Sequence, residues 1–141
     1  MKFLSILSCL LIFAVSFFYA PAVSEQDTAK TSRQTPSKSK VQYGIASFYA
    51  NKFQGKKTSN GEIFSQKKLT AAHNTLPLGT YVRVTNLRNK RTVVVKINDR
   101  LHHRNKRLID LSRAAAERLG FIKSGTTRVK VEVLGKKPVK N

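Results

Sequence analysis

The residues able to move protons sit in three stretches. Asp99 and Asp110 lie in "KINDRLHHRNKRLIDLS" (Lys96 to Ser112), Glu62 in "TSNGEIF" (Thr58 to Phe64) and His73 in "LTAAHNTLPLG" (Leu69 to Gly79). Carboxyls are scarce here, 7 Asp+Glu against 27 Lys+Arg. Asp99 ends a β-branched run where the chain opens into a loop, between Asn98 and Arg100. A carboxyl on such a rim is pushed up by desolvation or down by a neighbouring guanidinium. The first case suits a general acid. The second makes it half of an ion pair with Arg100 or Arg104. Asp110 lies two residues before Ser112, near the positive end of a helix, so it anchors the helix start or an arginine, or it touches substrate. Glu62 follows the Asn60-Gly61 turn signal, with Thr58 and Asn60 as neighbouring hydrogen-bonders; alone it reads as an ordinary surface acid. His73 follows an apolar stretch and alone reads as a satisfied structural group. His102 and His103 are adjacent and point apart in an extended chain, and no third ligand has zinc-site spacing. No metal or cofactor is expected.

Strands must carry most of these groups. "YGIASFYA" alternates loosely, "TYVRVTNL" (Thr80 to Leu87) cleanly, "RTVVVKIN" (Arg91 to Asn98) is nearly all β-branched, and "TRVKVEVL" (Thr127 to Leu134) alternates valine with charge. "RNK" (Arg88 to Lys90) turns the second into the third. "SRAAAERL" (Ser112 to Leu119) predicts a helix capped by Ser112 and ended by Gly120. A second helical piece is expected over Ser65 to Ala72. Short strands with one or two small helices predict a mainly β chain forming a small barrel.

The first residues are read apart from the domain. Met1-Lys2, an apolar core and "APAVS" form a secretory signal peptide over residues 1–24, cut after Ala22 or Ser24. A retained membrane helix is the alternative. "ILSC" (Ile6 to Cys9) resembles a lipoprotein box but lies too early, so no lipid anchor is expected. Cys9 is the only cysteine of the 141 residues and leaves with the signal, so the mature chain has no thiol chemistry and no disulfide. Residues 25–40 are polar and Ser/Thr-rich, a flexible linker; residues 41–135 form the domain, and 136–141 a basic tail. The formal net charge of +20 calls for anionic partners. Export places these in the envelope, in the periplasm or outside the cell. Nucleic acid is not expected, since no aromatic-rich RNA-binding signature appears.

The stretches "GEIF", "LTAAHNTLPLGT", "VRVTNL", "VVVKINDR" and "IDLSRAAAERLG" occur in the order and at the spacing of the RlpA-like family of bacterial envelope proteins. This chain resembles that family from about Gly44 to Leu134. The resemblance implies a six-stranded double-psi β-barrel and a lytic transglycosylase acting on peptidoglycan glycan strands. Cleavage would fall between N-acetylmuramic acid and N-acetylglucosamine and leave 1,6-anhydro ends. It places the family's functional acid, histidine and aspartate on Glu62, His73 and Asp99. Asp99 is then the acid/base, Glu62 the stabiliser of positive charge at C1, and His73 a group that holds substrate or tunes Asp99. Tyr49, Thr58, Asn60, Asn98, Arg100 and Asp110 are expected sugar contacts. Lys52, Lys56, Lys57, Arg104, Lys106 and Arg107 are expected to attract lactyl carboxylates of stripped glycans or other anionic envelope polymers. The protein is expected to act as a monomer. Two departures stand out. The family's "ASWYG" is "ASFYA" here, and its Gly-Pro after "NDR" is Leu101-His102. The altered loop supports an alternative, a non-catalytic expansin-like module that binds or loosens the wall. A basic barwin-like toxin or inhibitor fits poorly, because such exported barrels rely on disulfides.

Overall fold

The computed structural model describes residues 40–136. The expected signal peptide, nearly all of the linker and most of the tail lie outside the described residues. Six strands close into a barrel: β1 (Val41–Phe48), β2 (Thr70–Ala72), β3 (Tyr81–Asn86), β4 (Thr92–Asp99), β5 (Ile109–Leu111) and β6 (Thr127–Gly135), ordered β1-β5-β2-β4-β3-β6. Two of the pairings are parallel, β1 with β5 and β2 with β4. This is the double-psi β-barrel that the resemblance implied. The helix α1 (Arg113–Leu119) and a single 3-10 turn (Asn51–Phe53) complete it.

Alternation fills the interior. β3 turns Val82 and Val84 inward, β4 turns Val93, Val95 and Ile97, and β6 turns Val129 and Val131, all buried. Each such side chain contributes about 1.5–3 kcal/mol by leaving water. Ser112 caps α1, its Oγ accepting from the Ala115 amide at 3.4 Å, and Gly120 ends it at a φ of 73°. The helix buries Ala115, Ala116 and Leu119 and packs on β4 and β1. Asn86 fastens the far end of α1. Its Nδ2 donates to the Leu119 carbonyl at 3.0 Å, and its Oδ1 accepts from Thr127 Oγ1 at 2.9 Å.

The helix expected over Ser65 to Ala72 is absent. The chain turns near Gln66 to Lys68 and then forms β2. A helix that short is marginal alone, whereas Thr70–Ala72 gains strand partners on both sides, β4 and β5. β2 and β5 escape sequence reading because three residues are too few to show a period.

These two short strands set the stage for the site. Along β2 and β4 the pairing steps from Ala71 opposite Ile97 to Ala72 opposite Asp99, so Asn98 is an extra residue, a bulge. Bulges re-aim side chains. Regular alternation would have put Asp99 on the inward face with Val95 and Ile97; instead it is half-buried at the rim. Ala72 also pairs with Asp110, and Asp110 with Ser47. Asp99, Ala72, Asp110 and Ser47 thus form one rung across β4, β2, β5 and β1.

β1 runs close under the loop before β5. A Cβ placed on Gly44 would lie 2.6 Å from Leu108 Cβ. Gly44→Ala is expected to lower unfolding stability by about 1–3 kcal/mol through overpacking, read as a lower urea midpoint for the full chain. An unchanged midpoint would contradict this packing.

Candidate functional site

The Asp99–Asp110 rung opens onto a cleft of about 640 Å³. Tyr49, Asp99, Arg100 and Asp110 line it, with the apolar wall from Phe48 and Phe53 and a basic rim from Lys52, Lys56, Lys57 and Arg107. Tyr49 packs edge-on to Phe53 at 5.5 Å between ring centroids. Arg104 and Lys106, expected on this rim, are exposed but do not line it.

Asp99 is held by neutral donors. The Tyr49 hydroxyl donates to Oδ2 at 2.7 Å, while Oδ1 accepts from the Ser59 amide at 2.9 Å, the Ser59 hydroxyl at 2.7 Å and the Arg100 amide at 2.8 Å. Burial pushes the carboxyl up, and it is outweighed by the bonds from Ser59, Tyr49 and Arg100, which together hold it below the usual aspartate range. Among the described residues no lysine or arginine side chain forms an ion pair with it. The Arg100 guanidinium turns instead to the His73 carbonyl, at 2.7 Å. Tyr49 is raised well above the usual tyrosine range, by burial first and then by its bond to Asp99; it stays a donor.

Glu62 is treated differently. Its Oε1 pairs with Lys96, and its Oε2 accepts from Asn98 Nδ2 at 3.1 Å. The Lys96 bond chiefly, then Asn98 and Asn60, hold it down at about 2. Thr58 and Asn60 build the turn that delivers it. Thr58 Oγ1 donates to Asn60 Oδ1 at 2.7 Å, and that oxygen also accepts from the Glu62 amide at 3.1 Å. The same turn docks on β4, the Asn60 amide donating to the Asn98 carbonyl at 3.2 Å. Thr58 and Asn98 are buried and, with Asn60, Glu62 and His73, do not line the cleft. Glu62 is partly exposed beside it, reached across Asn98.

Asp110 meets a guanidinium clamp. Arg107 donates from Nε to Oδ1 at 2.8 Å and from Nη2 to Oδ2 at 2.9 Å, and Ser47 Oγ donates to Oδ1 at 2.6 Å. It anchors an arginine, one of the two structural readings of this residue; Ser112, not Asp110, caps the helix.

His73 follows β2 and is buried. Its Nδ1 accepts from the Thr75 amide at 3.1 Å and the Leu76 amide at 3.2 Å, which places the ring proton on Nε2. Burial, then the charges of Arg100 and Lys40, push it down to about 4. Its ring makes no bond to Asp99. The link is through the main chain, the His73 amide donating to the Asp99 carbonyl at 3.1 Å.

Ser59, Lys96 and Ser47 are the partners that sequence reasoning passed over. Each lies 34 or more residues from the group it serves, and only Ser59 carried a local signal, its place in the "TSNG" turn.

The profile of a family described as lytic transglycolase matches residues 41–131. The chain is 48% identical over 107 residues to the endolytic peptidoglycan transglycosylase RlpA of Haemophilus influenzae, covering 76% of this chain and 37% of that protein. It is 57% identical over 91 residues to the RlpA of Pasteurella multocida, covering 64% and 31%. The chain therefore spans about a third of the length of these curated relatives. Among solved structures, an apo expansin of Clavibacter michiganensis is similar with a TM-score of 0.58 and 18% identity, over 71% of this chain and 53% of that one. The Streptomyces papain inhibitor is similar with a TM-score of 0.55 and 21% identity, over 67% and 94%. At these identities the structural likeness is one of fold.

The histidine makes the domain sensitive to acid. The unfolded chain takes up a proton near the ordinary histidine value of 6.5, and the folded one only near 4. Its stabilising contribution is therefore complete above the ordinary value and fades as pH falls towards 4. The thermal midpoint is expected to drop from about pH 7 to about pH 4, and His73→Asn to flatten that slope. An equal slope in the variant would deny His73 this part.

Proposed function

The chain belongs to the lytic transglycolase family, and on that premise we propose that it cuts peptidoglycan glycan strands between N-acetylmuramic acid and N-acetylglucosamine, leaving 1,6-anhydro ends. One observation carries the assignment of roles. Of the carboxyls in and beside the cleft, Asp99 alone is held by neutral donors, with no basic side chain paired to it.

A glycosidase that adds water needs two working carboxyls. Here the 6-hydroxyl of the muramic acid attacks C1 of its own sugar, so a single carboxyl serves both halves. Asp99 protonates the leaving oxygen and then takes the hydroxyl proton as a carboxylate. Burial already pushes Asp99 upward against its hydrogen bonds. A glycan filling the cleft excludes more water and adds to that push, supplying the protonated form when substrate is bound. Glu62, its charge balanced by Lys96, acts as a positioning residue, holding Asn98 and the turn that brings Ser59 to Asp99. His73 acts as a positioning residue through its main-chain bonds to Asp99 and Arg100. Tyr49, Arg100 and Asp110 face the sugar; Thr58, Asn60 and Asn98 hold the turn behind them.

Residues 1–24 serve as an export signal, 25–40 as a linker, 41–135 as the barrel domain and 136–141 as a basic tail, the protein acting as a monomer in the envelope. Lys52, Lys56 and Lys57 draw anionic glycans or other anionic envelope polymers to the rim, an attraction that salt weakens.

Purified sacculi incubated with the protein and read by mass spectrometry test the reading. Asp99→Asn is expected to lower release of anhydro-muropeptides by about 10²- to 10⁴-fold while folding and sacculus binding persist. Wild-type turnover in that variant rejects Asp99 as the acid/base. Sacculus binding by the unaltered protein with no anhydro product replaces the enzyme by an expansin-like module.

A further inference from the structure

The rung that carries Asp99 carries a second carboxyl, and the cleft contains both. Asp99 and Asp110 each pair with Ala72, so one strand lies between them. Two strand spacings separate their backbones by about 9–10 Å. Carboxyls about 6.5–9.5 Å apart across a sugar cleft are the arrangement of inverting glycosidases, where one is the acid and the other activates water. The backbone spacing thus sets two carboxyls into one cleft, the pair of groups that hydrolysis requires.

Arg107 changes that. Its planar fork engages both oxygens of Asp110, and Ser47 takes a further position on Oδ1. A carboxylate bound by a two-point guanidinium pair and a hydroxyl has its charge balanced and three of its four lone-pair positions committed, both of those on Oδ1 among them. The one position left, on Oδ2, lies beside the Arg107 guanidinium, which competes with any water for that oxygen. Asp99, on the same rung, is free of such a partner.

We propose that Arg107 is a specificity-determining residue that disarms Asp110 as a water-activating base, so that C1 is captured by the intramolecular 6-hydroxyl rather than by water. This deepens the transglycosylase reading and rests on it. In the normal route, O6 bonds to C1, the bond from C1 to the leaving oxygen breaks, Asp99 protonates that oxygen and recovers the O6 proton, and no water is added. Without the clamp, water oxygen bonds to C1, Asp110 accepts the water proton, Asp99 protonates the leaving oxygen, and the product is a reducing muramic acid end.

The two products separate cleanly by borohydride, which reduces the free hemiacetal and leaves the anhydro end intact. Sacculi digested by the full chain are treated in this way and analysed by mass spectrometry. Wild type is expected to yield anhydro ends. Arg107→Gln is expected to raise the ratio of reducible to anhydro ends at least about tenfold, and Arg107→Gln with Asp110→Asn to lose that gain. Arg107→Lys, which keeps the charge but not the fork, is expected to shift the ratio in the same direction by less, and it decides the matter if Arg107→Gln does not fold. Anhydro ends from wild type with an unchanged ratio in the folded Arg107 variants overturn this inference and leave the transglycosylase reading intact. Reducible ends from wild type, or no cleavage at all, overturn that reading and this inference with it.

Discussion

The cleft depends on a strand of three residues. Thr70–Ala72 is wedged between β4 and β5, parallel to one and antiparallel to the other. Its register brings two aspartates 11 positions apart in the chain onto one rung. It also forces the extra residue at Asn98, which turns the end of an apolar strand out of the core. Every donor described around Asp99 presupposes that turn. β2 has little intrinsic reason to be a strand; closure of the barrel requires it there, and the hydrogen bonds it supplies to its neighbours are otherwise unmade backbone groups.

Around this frame the protein handles three carboxyls in three ways. Glu62 meets an ammonium, Asp110 a guanidinium, and Asp99 a hydroxyl, a serine and two amides. In a chain of net charge +20 a carboxylate without a basic partner is the exception among the described residues, and neighbouring bases could have supplied one. Arg100 sits next in the chain, yet its head group is held by the His73 carbonyl. A neutral shell leaves the proton affinity of Asp99 responsive to what enters the cleft, whereas an ion pair would fix it.

Much of this was legible in the sequence. The four longer strands and α1 announce themselves, because Val82, Val84, Val93, Val95, Val129 and Val131 keep a period of two and Ser112 and Gly120 mark the helix ends. Local propensity failed at Ser65 to Ala72, where lysine and alanine favour a helix but pairing on both sides outweighs them. At the site, local sequence could nominate Asp99, Asp110, Glu62 and His73 as types, and the family resemblance alone assigned them different roles. What separates them is the partner each one meets: Ser59, Arg107, Lys96 and the Thr75 and Leu76 amides. Two of these partners are local: Arg107 lies three residues from Asp110, and the Thr75 and Leu76 amides lie within three of His73. The Ser59 and Lys96 contacts join segments more than 30 residues apart, which no local pattern encodes.

Closure of the sheet has a further consequence. With β6 returning to β1, each strand of the cylinder has a neighbour on both flanks. Open sheets must guard their margins against stray pairing, and this one has no such margin among the described residues. A strongly cationic domain crowded against polymers and other chains therefore offers them no edge strand to extend; only the stretches of β1 and β4 that outrun the three-residue β5 and β2 are paired on one flank alone.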